Sequence, residues 1–231
     1  MKYEIVLWDV DGTLLDQTVP ERKAIRKALL KLGLGDCTEE DLDRYPYINT
    51  RWWGYAERGE KEKSEVVWRR FEEFLTFAGK DPSFARNMNL LYMENLGDTI
   101  TFIPYGKEVL SILQGKVKQY VVTNGYRLSQ KKKLDNSGII HMVDRCFISE
   151  DVGFDKPKKE FFDIVLNEVD CKDRSNVLLV GDNLITDMTG GINAGVSTCL
   201  YDRSKKNFNS ELKIDYEIDN LMIVPSIVGI I

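Results

Sequence analysis

The sequence has little of what marks a secreted, membrane-bound or nucleic-acid-binding protein. Its four cysteines, Cys37, Cys146, Cys171 and Cys199, are scattered without a CxxC pair, and no apolar leader ending in small residues precedes them. A disulfide-stapled scaffold is excluded, and a reduced, cytoplasmic setting is expected. Apolar runs such as Ile5–Trp8 and Met222–Pro225 fall far short of the ~20 residues needed to span a bilayer. Charge of one sign is missing too. The 32 basic and 37 acidic residues leave a net charge of −5, spread fairly evenly, which argues against a nucleic-acid polymer or a membrane surface as partner. There is one histidine, no internal repeat and no low-complexity segment. What is present is a chain of 231 residues, 43% of them apolar, long enough for one large or two small domains with ample core.

Three segments share one pattern. Tyr3-Glu4-Ile5-Val6-Leu7-Trp8 runs into Asp9, Tyr120-Val121-Val122 into Thr123-Asn124-Gly125, and Val177-Leu178-Leu179-Val180 into Gly181-Asp182-Asn183. Continuous β-rich apolar runs of this length read as strands buried on both faces. Weaker strands fit at Cys146–Ser149 and Thr198–Tyr201, with helices at 106–114, 127–137 and 157–169, the last opened by Pro157 at its first position. Strands alternating with helices predict an α/β fold with a parallel, Rossmann-like sheet, whose ligands bind beyond the carboxyl ends of the strands. Asp9, Thr123 and Asp182 should therefore converge.

Between about Val19 and Leu96 no β-rich run occurs, and apolar residues recur at helical spacing. Ile25, Ala28, Leu29 and Leu32 form one stripe closed by Gly33; Val67, Phe71, Phe74, Leu75 and Ala78 form another closed by Gly79. Thr38 with Asp41 reads as a capping box. The expected organisation is a sheet domain made of 1–16 and 100–231, interrupted by an all-helical domain over 17–99.

Asp9 and Asp11 lie two residues apart at the end of a buried strand, followed by a glycine that permits a sharp turn. With Asp182 and Asp187 from another strand end, up to four carboxylates are expected to face one crevice. A hard, oxygen-preferring cation, Mg²⁺ above all, offsets such a cluster. A carboxylate beside Mg²⁺ suits phosphoryl transfer to an aspartate nucleophile. In that scheme Asp9 attacks phosphorus, and Asp11 protonates the leaving oxygen and then deprotonates the hydrolytic water. Thr123, Asn124 and the backbone amides after Thr123 hold phosphate oxygens, and Lys156 offsets the charge of nucleophile and phosphate.

At these residues the sequence resembles the haloacid dehalogenase superfamily. Four motifs occur in family order: Asp9-Val10-Asp11-Gly12-Thr13, Thr123-Asn124-Gly125, Lys156-Pro157, and Gly181-Asp182-Asn183 with Asp187. The resemblance implies Asp9 as nucleophile, Asp11 as acid/base, and a Mg²⁺ bound by Asp9, the Asp11 carbonyl and Asp182, with Asp187 supporting it indirectly. It also implies that the helical insert is a cap that closes over the site. The strings Ser137-Gly138-Ile139, Ile148-Ser149-Glu150-Asp151-Val152-Gly153 and Gly190-Gly191-Ile192-Asn193-Ala194-Gly195 are similar to those of the house-cleaning pyrimidine 5′-nucleotidase branch. That branch makes a nucleoside monophosphate the expected substrate, with a phosphatase or mutase for a sugar phosphate or phosphoglycolate as the alternative. A receiver-type phospho-accepting switch has no helical insert after its first strand and no DxDGT loop.

Several residues are assigned bland roles. Lys131-Lys132-Lys133 is expected to be a solvated helix face, and His141, remote from every motif, a structural residue. Trp52, Trp53, Tyr55 and Trp68 at helical spacing are expected mostly in the core of the helical domain, leaving room for one ring to stack on a base.

Overall fold

The computed structural model of the chain describes residues 1–203 and 211–230. By its internal contacts the chain divides into two compact units, Met1–Gln17 with Ile100–Ile231, and Thr18–Thr99.

The first unit opens with β1 (Ile5–Trp8), and the chain then enters the second unit. That unit is helical: α1 (Thr18–Lys31), α2 (Glu39–Glu57), α3 (Lys63–Phe77) and α4 (Ala85–Asn95). Thr38 and Asp41 form the expected reciprocal box at the start of α2. Gly33 and Gly79 take positive φ just beyond α1 and α3, where a residue with a Cβ would be strained. α1 packs on α4, and α3 on both α2 and α4. The stacked rings of Tyr45 and Phe71, with centroids 5.5 Å apart, fill the centre together with Phe74 and Tyr92.

The core of this unit is therefore built from Tyr45, Phe71, Phe74 and Tyr92, and the expectation for the other aromatic residues is corrected. None of Trp52, Trp53, Tyr55 and Trp68 is fully buried. Each instead carries a cation over its ring: Lys61 on Trp52, Arg70 on Trp53, Arg58 on Tyr55, and both Arg69 and Arg86 on Trp68. An aromatic face that holds a cation gains without full burial, so helical spacing alone does not place these rings inside.

After Ile100 the first unit resumes with α5 (Gly106–Leu113), β2 (Lys118–Thr123), α6 (Arg127–Ser137), β3 (Arg145–Ile148), α7 (Ser149–Val152) and α8 (Lys159–Glu168). It continues through β4 (Val177–Gly181), α9 (Gly190–Ala194), β5 (Ser197–Tyr201), β6 (Tyr216–Ile218) and α10 (Val224–Val228). The strands form one parallel sheet in the order β3-β2-β1-β4-β5-β6.

Side chains alternate between two apolar layers. Val6 and Trp8 of β1 join Val121, Leu178 and Val180 on one face. Leu7 joins Tyr120, Val122, Val177 and Leu179 on the other. Both faces are covered, which is why the strands read as unbroken apolar runs. With β1 flanked by β2 and β4, the strand order reverses direction at β1, and the crevice beyond its carboxyl end is where such sheets bind ligands. No helix of the described residues is long and apolar enough to cross a membrane.

One local expectation changes. α8 begins at Lys159, so Pro157 lies ahead of the helix in the loop that carries Lys156. That loop is held by side-chain hydrogen bonds from Asn124 rather than by a helical first turn.

Candidate active site

Asp9 follows the last residue of β1, and its N–H donates to the Val180 carbonyl at 3.0 Å, so the sheet hydrogen bonding fixes its position. Thr123 ends β2, and Asp182 follows β4. The register pairs Trp8 with both Val121 and Val180, which brings these three strand ends level. Asp9 and Thr123 are buried, while Asp182 is partly exposed. The sharp turn after Asp9 depends on Gly12, which has φ +97°; a Cβ there would lie 2.3 Å from Asp182 Oδ2.

Asp187 reaches the same place through an irregular helix. Residues Leu184–Thr189 form a π-helical turn, in which Met188 N–H donates to the Asn183 carbonyl. The Asn183 side chain caps it by accepting from the N–H groups of Ile185 and Thr186. Such turns often occur at functional sites. This one turns Asp187 back under β4, where Oδ2 accepts from Asn183 N–H at 3.1 Å.

Lys156 Nζ has three donors and uses all of them: Asp9 Oδ1 at 2.8 Å, Asp187 Oδ1 at 2.7 Å and the Val122 carbonyl at 2.9 Å. Its side chain is 1% exposed. Thr13 Oγ1, wholly buried, lies 3.2 Å from Asp9 Oδ2 and 3.4 Å from Asp182 Oδ1. One carboxylate oxygen from each of Asp9, Asp182 and Asp187 lies within 4.8 Å of the others.

Three buried or half-buried carboxylates against one ammonium leave negative charge uncompensated, and the ionisation of the site reflects it. Burial pushes Asp9 up to about 7, against the pull of Lys156 and with the help of Asp187. Burial and then the charges of Asp9 and Asp187 hold Asp182 well above the ordinary carboxylate range. Burial opposes charge on Lys156, yet Asp187 and Asp9 outweigh it and keep the ammonium above the ordinary lysine value. An all-oxygen donor set with excess negative charge fits a hard divalent cation such as Mg²⁺, which takes few carboxylates and keeps other positions for water or substrate oxygens.

Two expected site residues have different partners from those anticipated. The Asn124 side chain spans the backbone of Lys156, donating from Nδ2 to its carbonyl at 2.7 Å and accepting its N–H on Oδ1 at 2.8 Å. It positions Lys156, so its side chain is committed and only its backbone amide is left for a phosphate. The Asp11 carboxylate stands apart from the three-carboxylate cluster. It accepts from Gln17 Nε2, Gln130 Nε2 and Lys133 Nζ.

Lys133 corrects the reading of the lysine run. Lys131 is exposed, but Lys133 is buried and paired with Asp11. Gln130, Lys133 and Leu134 share one face of α6, and Leu134 belongs to the core. That i, i+3, i+4 relation to a core leucine was the available signal. His141 is exposed ahead of β3, at the amino end of the sheet, away from this cluster.

A family model described as haloacid dehalogenase-like hydrolase matches residues 3–195. HAD-hydrolase YfnB of Bacillus subtilis is 32% identical over 220 residues, which cover 95% of this chain and 93% of YfnB. A crystal structure of YfnB superposes with a TM-score of 0.92 over 99% of this chain and all of that one; that protein was bound to magnesium and displayed interdomain movement. Pyrimidine 5′-nucleotidase YjjG of Escherichia coli is 30% identical over 199 residues, 86% of each chain. A glyceraldehyde 3-phosphate phosphatase of Methanothermobacter thermautotrophicus is 34% identical over 202 residues, 84% of each.

Proposed function

The chain belongs to the haloacid dehalogenase-like hydrolase family, and from that premise we propose a Mg²⁺-dependent phosphomonoesterase that works through an aspartyl-phosphate on Asp9. Nucleoside 5′-monophosphates, pyrimidine ones in particular, are its substrates. The observation that carries the reading is Asp9 itself: a buried carboxylate at the tip of the central strand, with Oδ1 on the Lys156 ammonium and Asp182 and Asp187 beside it.

In the first step an Asp9 carboxylate oxygen attacks phosphorus, and the bond from phosphorus to the ester oxygen breaks as Asp11 gives that oxygen a proton. In the second step Asp11, now a carboxylate, takes a proton from water; the water oxygen attacks phosphorus, and Asp9 leaves as a carboxylate with release of inorganic phosphate. Lys156 neutralises Asp9 at its free end and holds Asp187, while the Asn124 amide fixes the Lys156 backbone. Thr123 and the amides that follow it face the transferring phosphoryl group.

Asp9 and Asp182, with the Asp11 carbonyl, would hold the cation, and Asp187 would support the set through Lys156 and the Asn183 amide. When bound, the cation supplies charge stabilisation for the phosphoryl oxygens. Domain 18–99 acts as the cap that selects the leaving group. A second reading, a sugar-phosphate phosphatase, is favoured by the glyceraldehyde 3-phosphate phosphatase at 34% identity.

The test is phosphate release, with and without Mg²⁺, from pyrimidine and purine monophosphates, phosphoglycolate and sugar phosphates, with Asp9→Asn as the blank. Mg²⁺-dependent preference for pyrimidine monophosphates is expected. Preference for a triose or other sugar phosphate would transfer the assignment to the second reading and leave the chemistry in place.

A further inference from the structure

The surroundings of Asp11 are more elaborate than a surface acid needs. Oδ1 accepts from Gln17 Nε2 at 2.7 Å and Lys133 Nζ at 2.8 Å. Oδ2 accepts from Gln130 Nε2 at 2.6 Å and from the same Lys133 Nζ at 2.9 Å. The ammonium bridges both oxygens and each amide holds one, so rotation about the bonds of the Asp11 side chain is opposed from both ends. The Lys133 side chain is 5% exposed and the Asp11 side chain 32%. The carboxylate is thus held by a buried ammonium while about a third of its own side chain stays exposed.

Two further features mark this cradle as built around Asp11 rather than around packing. The amide oxygens Gln17 Oε1 and Gln130 Oε1 are buried with no hydrogen-bond partner among the described residues. The ionised Asp11, the form that serves as base in the second step, can only accept, so both amides turn their nitrogens towards it and strand their oxygens, an arrangement that costs stability. To act as acid in the first step, one oxygen exchanges one of these donors for a proton shared with the leaving-group oxygen. Gln130 also passes directly over Gly125: a Cβ at that position would lie 2.1 Å from Gln130 Cγ and 2.3 Å from Nε2. The glycine of the Thr123-Asn124-Gly125 string thereby makes room for a side chain that reaches Asp11.

The geometry points to Lys133 and Gln130 as positioning residues that hold the Asp11 carboxylate on the line of the leaving-group oxygen. This rests on the acid/base role given to Asp11 above. Lys133 and Gln130 touch neither phosphate nor leaving group; they act through Asp11. A displacement of about 1 Å in a proton-transferring group costs on the order of 10²-fold in rate, within the range that general acid catalysis supplies.

The experiment compares two esters by kcat/KM, which reports the steps through departure of the leaving group. A nucleoside monophosphate expels a poor alkoxide leaving group that needs a proton, whereas p-nitrophenyl phosphate expels a phenolate that does not. For Lys133→Met, kcat/KM on the nucleotide is expected to fall about 10²-fold, with a loss under about 5-fold on the aryl ester, and Lys133→Arg is expected to recover much of the difference. Gln130→Leu, which keeps Lys133, should show the same asymmetry at smaller amplitude.

Equal losses on both esters, or none, would overturn the positioning role and leave Lys133 as a staple between α6 and the β1 loop. Crystal structures of the wild type and Lys133→Met separate this from failure of the parent reading. If the wild type hydrolyses neither ester, the phosphatase assignment fails. The leaving-group role of Asp11 then falls with it, and a shift of the Asp11 carboxylate by about 1 Å or more in the variant would support only that Lys133 holds Asp11, whereas no shift would overturn that as well.

Discussion

At the scale of single residues, Lys156 is where the charges of the site meet. Its ammonium touches Asp9, Asp187 and the Val122 carbonyl in a pocket that leaves it almost no solvent. Removing one partner of a buried ion pair leaves uncompensated charge. Lys156→Ala is therefore expected to lose about 3 kcal/mol of transition-state stabilisation, the scale of one preorganised donor. Steady-state kcat/KM measures this, and a loss under about 1 kcal/mol would return Lys156 to an ordinary loop lysine.

Asp9 gives a second expectation. Its ordinary value of 3.8 rises to about 7 in the fold, and Asp182 is raised as well. The metal-free folded chain thus holds protons that the unfolded chain gives up. The stability this contributes is complete below the ordinary carboxylate value and is lost as pH rises through about 7. Mg²⁺ requires the carboxylates ionised, so the increase in Tm on adding it should grow between about pH 5 and pH 8. An increase independent of pH would contradict this account of the cluster.

At the scale of elements, the strand ends do the positioning, and glycine sets how closely they approach. Gly12→Ala would force a Cβ to within 2.3 Å of Asp182 Oδ2 at φ +97°. The expected result is displacement of the loop after β1 and weaker metal binding, read as a smaller Mg²⁺-induced rise in Tm than in the wild type. An unchanged rise would show that the loop absorbs the methyl group.

This scale also explains what was legible in the sequence. Strands covered on both faces leave continuous apolar runs, so β1, β2 and β4 and their terminal Asp9, Thr123 and Asp182 could be read directly. β6, three residues long and partly exposed, carries too little pattern. Lys133 is not legible as a buried residue, because a lysine on a core-facing position of α6 looks like a solvated one until its partner Asp11 is known. The Asn124 side chain looks free for a phosphate in the sequence because spacing does not reveal that its amide closes on the Lys156 backbone 32 positions away.

At the scale of the whole molecule, the carboxylate cluster, Lys156, Thr13 and the Asp11 cradle all belong to the sheet unit, and the chain leaves and re-enters that unit at adjacent points. Asp16 N–H donates to the Thr101 carbonyl at 2.8 Å, and Leu15 bridges Phe102. Replacing Thr18–Thr99 with a short linker should leave a unit that unfolds cooperatively and is still stabilised by Mg²⁺, because no member of the cluster is lost. Calorimetry with and without Mg²⁺ checks this, and loss of the Mg²⁺ effect in a folded product would mean that the helical unit contributes to the site. The central claim is covalent phosphorylation of Asp9 during turnover. Its most direct test is an acid quench of the enzyme turning over a nucleoside monophosphate with Mg²⁺, followed by peptide mass spectrometry. One phosphoryl group on Asp9, absent from Asp9→Asn and absent without Mg²⁺, is the expected result; steady phosphate release with Asp9 unmodified, or retained by Asp9→Asn, would contradict the mechanism.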